Sequence, residues 1–250
     1  MIIEQTLQRL NQMKLFGMAS SVKARLSRPD HLDLNVTEFL GLVVDDEWLH
    51  RDNKRRELRE KGAKFKDKRA TIESIDFDGK PRGITKAQVL EFAQLHWLRK
   101  KQNIAVTGLT GVGKSWVSQA LGAQACREGL RVLFIREPML IHTLLTAKAT
   151  GTLPGLLKRW AKTELLIIDD LGTGMLTEES RRDFLELVEE RNGVGSTIIT
   201  SQLPVEEWHD HFGSGRVADA ICDRLVRNAH RVALIGDTRR PKIETLDQKG

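Results

Sequence analysis

Long apolar runs are missing from this 250-residue sequence, as are paired cysteines, repeats and any broad charge imbalance. No stretch reaches the ~18 apolar residues that a membrane-spanning helix requires, and the opening residues lack the pattern of a secretory signal. Cys126 and Cys222 stand alone, in neither metal-ligand nor redox spacing, so buried reduced thiols are expected in place of a disulfide framework. No internal repeat or low-complexity segment occurs. Disulfide scaffolds, membrane-spanning proteins and repeat arrays are thereby excluded, and a cytoplasmic protein without a membrane partner is expected. The formal net charge is +6 with pI near 9.4, but the excess is local. Residues 51–70 hold ten Lys or Arg against four Asp or Glu, while the remainder carries 30 of each sign.

What is present is organised around Gly108-Leu109-Thr110-Gly111-Val112-Gly113-Lys114-Ser115, which follows the apolar run Ile104-Ala105-Val106 and precedes a helical pattern beginning at Trp116. The spacing is that of a phosphate-binding loop. Its glycines let successive N–H groups converge on one concavity, to which the next helix adds its positive N-terminal end. Gly108, Thr110, Gly111, Val112, Gly113, Lys114, Ser115 and Trp116 are the candidate nucleotide contacts. Lys114 is suited to the β and γ phosphates, and the Ser115 hydroxyl to a bridging Mg2+. ATP or GTP binding is the starting expectation.

Before this loop the pattern is helical. Leu7 and Leu10, then Leu15, Met18, Val22 and Leu26, keep helical spacing broken near Phe16-Gly17, predicting two short helices or one kinked helix. Asn35 and Glu38 have the relation of a capping box, and Phe39, Leu42, Val43 and Leu49 mark one face of a following helix that runs into the basic block. A helical N-terminal domain over residues 1–75 is expected, with a linker at 76–83 where Asp78 to Gly83 gathers turn formers. From 84 to 250, short apolar strands alternate with helices: Ile104–Val106, Val132–Ile135, Leu165–Ile168, Thr197–Thr200 and Val232–Ile235. Continuous apolar runs suit strands covered on both faces, so an α/β domain with a five-stranded parallel sheet is predicted.

Leu165 to Asp170 is an apolar strand ending in two carboxylates. Asp169 is placed to hold Mg2+ and Asp170 to polarise the water that attacks the γ phosphate. The next strand ends in Thr200-Ser201-Gln202 at the same sheet edge, where Gln202 could orient that water or cap the Leu203-Pro204 turn. Arg224 lies in a helical stretch with no evident local partner beyond Asp219 or Asp223, and can be read as a surface ion pair or as a cation completing a neighbour's site. Arg55, Arg56, Arg59, Lys64 and Lys66 in the basic block are candidate phosphate contacts to nucleic acid, with a solvated helix face as the alternative. Lys148, Lys158 and Arg159, between the second and third strands, suit a solvated crossover helix. His209 and His211 suggest metal only weakly, since a spacing of two does not share a helix face.

GLTGVGKS at 108–115, LLIIDDLG at 165–172, TSQLP at 200–204 with Trp208-His209, DRL at 223–225 and the opening Leu7, Leu10, Leu15, Gly17 and Met18 together resemble the AAA+ ATPases. Within them they resemble the IstB/DnaC-like group, nearest to the IstB-type transposition helpers. The resemblance implies an AAA+ fold and ATP hydrolysis with Mg2+. It also implies ATP-dependent self-assembly on double-stranded DNA and regulation of a DDE-type transposase, with a DnaC-like helicase loader as the alternative. By motif position Asp169 is similar to the Mg2+ residue, Asp170 to the water-activating acid, Gln202 to sensor I and Arg224 to the arginine finger, for which Arg216 is a second candidate. An extra helix facing DNA, as in initiator-type AAA+ relatives, is implied between the second and third strands, with Lys148, Lys158 and Arg159 as its phosphate contacts. Two departures stand out: Asp170 occupies a position where a glutamate is usual, and only fourteen residues follow Gly236, so a full C-terminal lid and its sensor II arginine are expected to be missing.

Overall fold

The structure is a computed structural model, and it describes residues 2–27, 34–77 and 82–239. The chain divides into two compact units, Met1–Leu58 and Arg59–Gly250. The division falls ahead of the expected 76–83 linker, of which 78–81 lie outside the described residues. Ala63 and Ile75 are buried in the same core as the sheet, with Phe65, Ile72 and Phe77 packed against it, which draws residues 59–77 into the second unit.

In the first unit the opening pattern becomes two helices, α1 (Ile2–Gln12) and α2 (Phe16–Leu26), with Lys14 in the left-handed region (φ 60°) between them. The third helix, α3 (Val36–Ala63), begins at the expected capping box: Glu38 N–H donates to Asn35 Oδ1 (2.9 Å) and Asn35 N–H to Glu38 Oε2 (3.0 Å). The face that α3 turns to α2 differs from the predicted apolar stripe. Val43 is buried, but Leu42 and Leu49 are exposed, and the docking is made by acids. Asp46 Oδ2 accepts from Ser21 Oγ (2.5 Å) and Arg25 (2.9 Å), and buried Glu47 accepts from Met18 N–H (3.0 Å). A Cβ at Gly17 would lie 2.7 Å from Glu47 Cα, so only glycine permits this approach.

The second unit is a parallel sheet of β1 (Asn103–Thr107), β2 (Val132–Arg136), β3 (Leu165–Leu171), β4 (Ser196–Ser201) and β5 (Ala229–Ala233), in the order β2-β3-β4-β1-β5. Alternate residues along the strands enter two cores, as the two-residue repeat of a strand requires. Ile104, Val106, Leu165, Ile167 and Ile198 pack with α6 (Lys114–Arg127) and the short helices α4 (Lys86–Ala93) and α5 (His96–Arg99). Ala105, Leu166, Ile168 and Ile199 pack with α7 (Glu137–Ala149), α8 (Leu153–Ala161), α9 (Glu178–Arg191), α10 (Trp208–His211) and α11 (Arg216–Val226). The last strand begins three positions before the predicted Val232–Ile235, pairing Asn103 with Ala229 and Thr107 with Ala233. It is an edge strand whose Ala229, His230 and Arg231 are partly exposed, so no apolar run marks its start. The residues on which the missing lid was expected extend over 240–250, outside the described residues.

One irregularity matters for the site. The β3–β4 register runs evenly to Ile168↔Ile199 and resumes at Leu171↔Ser201, leaving one extra residue on β3. Asp170 sits in this bulge with φ 59°. Bulges of this kind re-aim a side chain at the end of a ladder.

Candidate nucleotide site

β4 lies between β1 and β3, so the phosphate loop, the Asp169-Asp170 pair and the Thr200–Gln202 segment meet at the carboxyl edge of the sheet, where ligands of open α/β sheets bind. Gly113 (φ 103°) turns the loop into α6 and caps it, so the first N–H groups of α6 open on the loop. Lys114 is buried, and its ammonium donates to the loop carbonyls of Gly108 (2.6 Å) and Leu109 (2.9 Å).

Asp169 is 1 % exposed. Thr200 Oγ1 donates to its Oδ1 (2.6 Å) and Ser115 hydrogen-bonds the same carboxylate. Burial pushes the Asp169 carboxyl above the usual range, the Thr200 and Ser115 hydrogen bonds oppose that shift, and the neighbouring Asp170 adds to it. Asp170 N–H donates to Thr200 Oγ1 (3.1 Å), its carbonyl accepts from Thr173 Oγ1 (2.8 Å), and its carboxylate pairs with Arg136 Nε at 3.0 Å. Gln202 Oε1 accepts from Thr110 Oγ1.

These groups open on a cleft of 790 Å3, whose walls include Trp116, Arg136, Asp170 and Gln202. The Trp116 indole is held there by donating to Ser74 Oγ (3.0 Å). The loop fits a polyphosphate, because backbone donors and a lysine converge on it while the helix end adds positive potential. Ser115 and Asp169 fit Mg2+, a hard cation that takes oxygen ligands and keeps several waters.

Several contributors carry no sequence motif. Fully buried Glu137, the first residue of α7, accepts through Oε2 from the N–H groups of Gly172 (2.9 Å), Thr173 (3.2 Å) and Gly174 (3.3 Å), and its Oε1 meets His211 Nε2 at 2.6 Å. It fixes the turn that follows the two aspartates; an acid at a helix start just after a strand is the only sequence signal for it. Arg82 and Arg239 also line the cleft. Arg82 donates to Asp76 O, Arg239 pairs with the Asp76 carboxylate, and Arg239 N–H donates to Gly111 O (2.9 Å). The segment after β5 thus carries an arginine to the phosphate loop although no lid helix precedes it.

The other candidates separate. Lys66 lines the nucleotide cleft and bears electrostatically on Asp169. Arg59 Nε donates to Cys126 O (2.9 Å), Arg56 is half-buried, and Arg55 and Lys64 are exposed. Lys148 is paired with Glu179 (3.0 Å) and Asp183 (2.8 Å). Lys158 and Arg159 are exposed on α8, whose Leu153, Leu156, Leu157 and Trp160 are buried. Arg224 does have a local partner, Glu189 of α9 at 2.8 Å, with Asp223 at 3.5 Å. Arg216 is exposed at the start of α11, with no carboxylate within ion-pair distance among the described residues. His209 turns to Asp219 and His211 to Glu137, and no cluster able to hold a metal occurs among the described His, Cys, Asp and Glu. Nor is any described helix long and apolar enough to cross a membrane.

Comparison with known proteins agrees with this geometry. The crystal structure of the DnaC helicase loader is similar in fold, with a TM-score of 0.57 at 21% identity over 66% of this chain and 97% of that one. A Sinorhizobium fredii protein, y4pL, named as an insertion sequence ATP-binding protein, is 40% identical over 96% of this chain and 97% of its own. A Pseudomonas fluorescens protein named as the ATP-binding protein of insertion sequence IS1162 is 40% identical over 82% of this chain and 88% of its own. The family model described as IstB-like ATP binding protein matches residues 8–246, and the chain, with its AAA+ P-loop fold, belongs to that family.

Proposed function

We propose that this protein is a Mg2+-dependent ATPase that assembles with ATP on duplex DNA and regulates a DDE-type transposase. The observation that carries the hydrolytic part is the hydrogen-bonded line Ser115–Asp169–Thr200–Asp170, which fixes the Asp169 carboxylate and the Asp170 backbone N–H beside the phosphate loop and leaves the two carboxylates with different burial. Division of labour follows from that difference. Buried Asp169 and Ser115 would hold Mg2+, which would supply neutralisation of phosphate charge. Asp170, re-aimed by the bulge, accepts a proton from water as the water oxygen bonds to the γ phosphorus and the bond to the β–γ bridging oxygen breaks, with ADP taking that electron pair. Lys114 exchanges its loop carbonyls for the β and γ phosphates, and Gln202 donates its amide N–H groups to the γ phosphate or the attacking water. An arginine of α11 from a neighbouring subunit supplies further positive charge, making turnover depend on assembly.

The transposition role is supported by the relatives named in insertion sequences at 40% identity. The helicase-loader alternative rests on a fold likeness at 21% identity. Phosphate release measured with duplex DNA, single-stranded DNA and no DNA separates the two. Stimulation by duplex, lost in Asp170→Asn with ATP affinity kept, is the expected result; stimulation by single strands alone would favour the loader, and wild-type turnover by Asp170→Asn would remove Asp170 from the mechanism.

A further inference from the structure

We propose that Arg82 is a phosphate-binding residue of the nucleotide site, a buried guanidinium whose missing hydrogen-bond acceptor is the polyphosphate of the bound nucleotide. The inference rests on reading the cleft as an ATP site and adds to it a cation that lies outside every motif.

Arg82 is 6 % exposed. A guanidinium carries five N–H donors, and one buried without partners is costly. Here Nη1 donates to Asp76 O, Nη2 reaches Val112 O only at 3.4 Å, and buried Nε has no hydrogen-bond partner. The carboxylate acting on Arg82 is Asp76, which is also the ion-pair partner of Arg239. Arg82 and Arg239 therefore share the Asp76 carboxylate, and Arg82 Nε is still left without an acceptor. Burial, and then the charge of Arg239, hold the Arg82 pKa below its usual value.

The position of this charge indicates what completes it. A Cβ at Gly113 would come within 2.7 Å of Arg82 Nη2, so the guanidinium rests against the glycine that caps α6. Its backbone is fixed there, since Ile235 N–H donates to Arg82 O (3.0 Å). An anion held by the first N–H groups of α6 lies beside Arg82 as well. An unpartnered buried Nε also occurs on Arg181 and Arg224, so what sets Arg82 apart is its place: its guanidinium lines the nucleotide cleft against Gly113, whereas Arg191, with its donors met by the carbonyls of Trp160, Thr163 and Ser196, lies away from it.

The test uses the full chain, with affinities for ATP and for inorganic triphosphate measured by displacement of a fluorescent nucleotide. Arg82→Met keeps length and removes charge. It should weaken both ligands by about 10- to 100-fold, as expected for loss of a charged hydrogen bond, and leave the nucleotide-free Tm unchanged or raised. Weakened ATP binding with unchanged triphosphate binding would place Arg82 at the nucleoside and overturn the proposal, as would unchanged affinity for both. Lys114→Ala separates the two readings: if it abolishes binding while Arg82→Met does not, only the Arg82 proposal fails, and if neither weakens binding the ATP site itself is misread. Should Arg82→Met not fold, the Nε–H resonance of Arg82 in the wild-type chain, assigned with Arg82→Lys, decides. It should shift on adding triphosphate, and an unmoved resonance overturns the proposal.

Discussion

Thr110 Oγ1 donates to Gln202 Oε1 across 2.7 Å, tying the phosphate loop to the end of β4 over 92 positions of sequence. The bond engages the Gln202 amide oxygen and leaves both N–H donors of the amide available to the cleft. Gln202→Glu replaces those donors with negative charge and should lower single-turnover hydrolysis by ~10^2-fold, the scale of losing one donor to developing charge. Thr110→Val breaks the tether alone and should cost less. A wild-type rate in Gln202→Glu would exclude this residue from the transition state.

Asp169 gives a second expectation, in which stability and function oppose each other. Its carboxyl is raised by burial, so the folded chain holds that proton more tightly than the unfolded chain. The associated stability is complete below the unfolded value of 3.8 and is lost as pH rises through the folded pKa. At pH 7 the ionised group is therefore a cost, which Asp169→Asn removes while Oδ1 still accepts from Thr200. The nucleotide-free variant should melt higher at pH 7, by about 2–4 °C for each kcal/mol gained, and the difference should shrink on acidification. The same variant should lose the Mg2+-dependent tightening of ATP binding. Thermal scans across pH check the sign, and a lower Tm at pH 7 would refute it.

The difference between these two residues and their surroundings marks what sequence can convey. The meeting of Gly108 to Ser115, Asp169 and Gln202 at one sheet edge is legible because apolar runs locate the strands whose ends carry them. The start of β5 is not legible, because Ala229, His230 and Arg231 on an edge need no apolar pattern. Glu137, Arg82 and Arg239 are hidden for another reason. They reach the site through the packing of segments distant in sequence, and no local spacing encodes such a meeting. The α3 face departs from its apolar pattern because Asp46 and Glu47 make hydrogen bonds where an apolar stripe is the usual means of docking.

The basic block shows the same limit and yields a third prediction. Its members share a composition but not a location: Arg55 and Lys64 are exposed, Arg59 is tied to Cys126 O, and Lys66 lines the cleft. If Arg55 and Lys64 meet DNA phosphates, their replacement by Gln should reduce the slope of log K against log salt by ~0.9 for each phosphate left without its cation, for all DNA sequences alike. Lys66→Gln should leave that slope unchanged and weaken ATP instead. DNA titrations over a salt series, paired with nucleotide titrations, distinguish the two groups. A reduced slope in Lys66→Gln would return that residue to the DNA interface.

The fourth prediction concerns which arginine of α11 would complete a neighbour's site in the proposed assembly. Arg224 is paired with Glu189 at 2.8 Å and its side chain is only 28 % exposed, so acting across a subunit contact would require it to leave that partner. Arg216 is differently placed. It is the first residue of α11, where the helix dipole disfavours a cation by roughly 0.3–1 kcal/mol, and no described carboxylate compensates it. A cation kept at a locally unfavourable, exposed position is the better candidate for a distant anion. Arg216→Ala should retain ATP affinity and lose DNA-stimulated hydrolysis by ~10^3-fold or more. Arg224→Ala should instead lower stability by ~1 kcal/mol or less, given the partial exposure of its ion pair, and keep most of the turnover. Mixing supplies the decisive measurement. Arg216→Ala subunits combined with Lys114→Ala subunits should recover activity, because the intact Arg216 of one completes the intact phosphate loop of the other. Glu189→Ala serves as the control: if Arg224 is the acting residue, releasing it should raise turnover, whereas a merely structural Arg224 predicts a stability loss alone. Loss of turnover in Arg224→Ala alone, restored on mixing with Lys114→Ala subunits, would reverse the assignment, and an inactive arginine variant that mixing does not restore, despite confirmed mixed assembly, would place the stimulating charge within the same subunit.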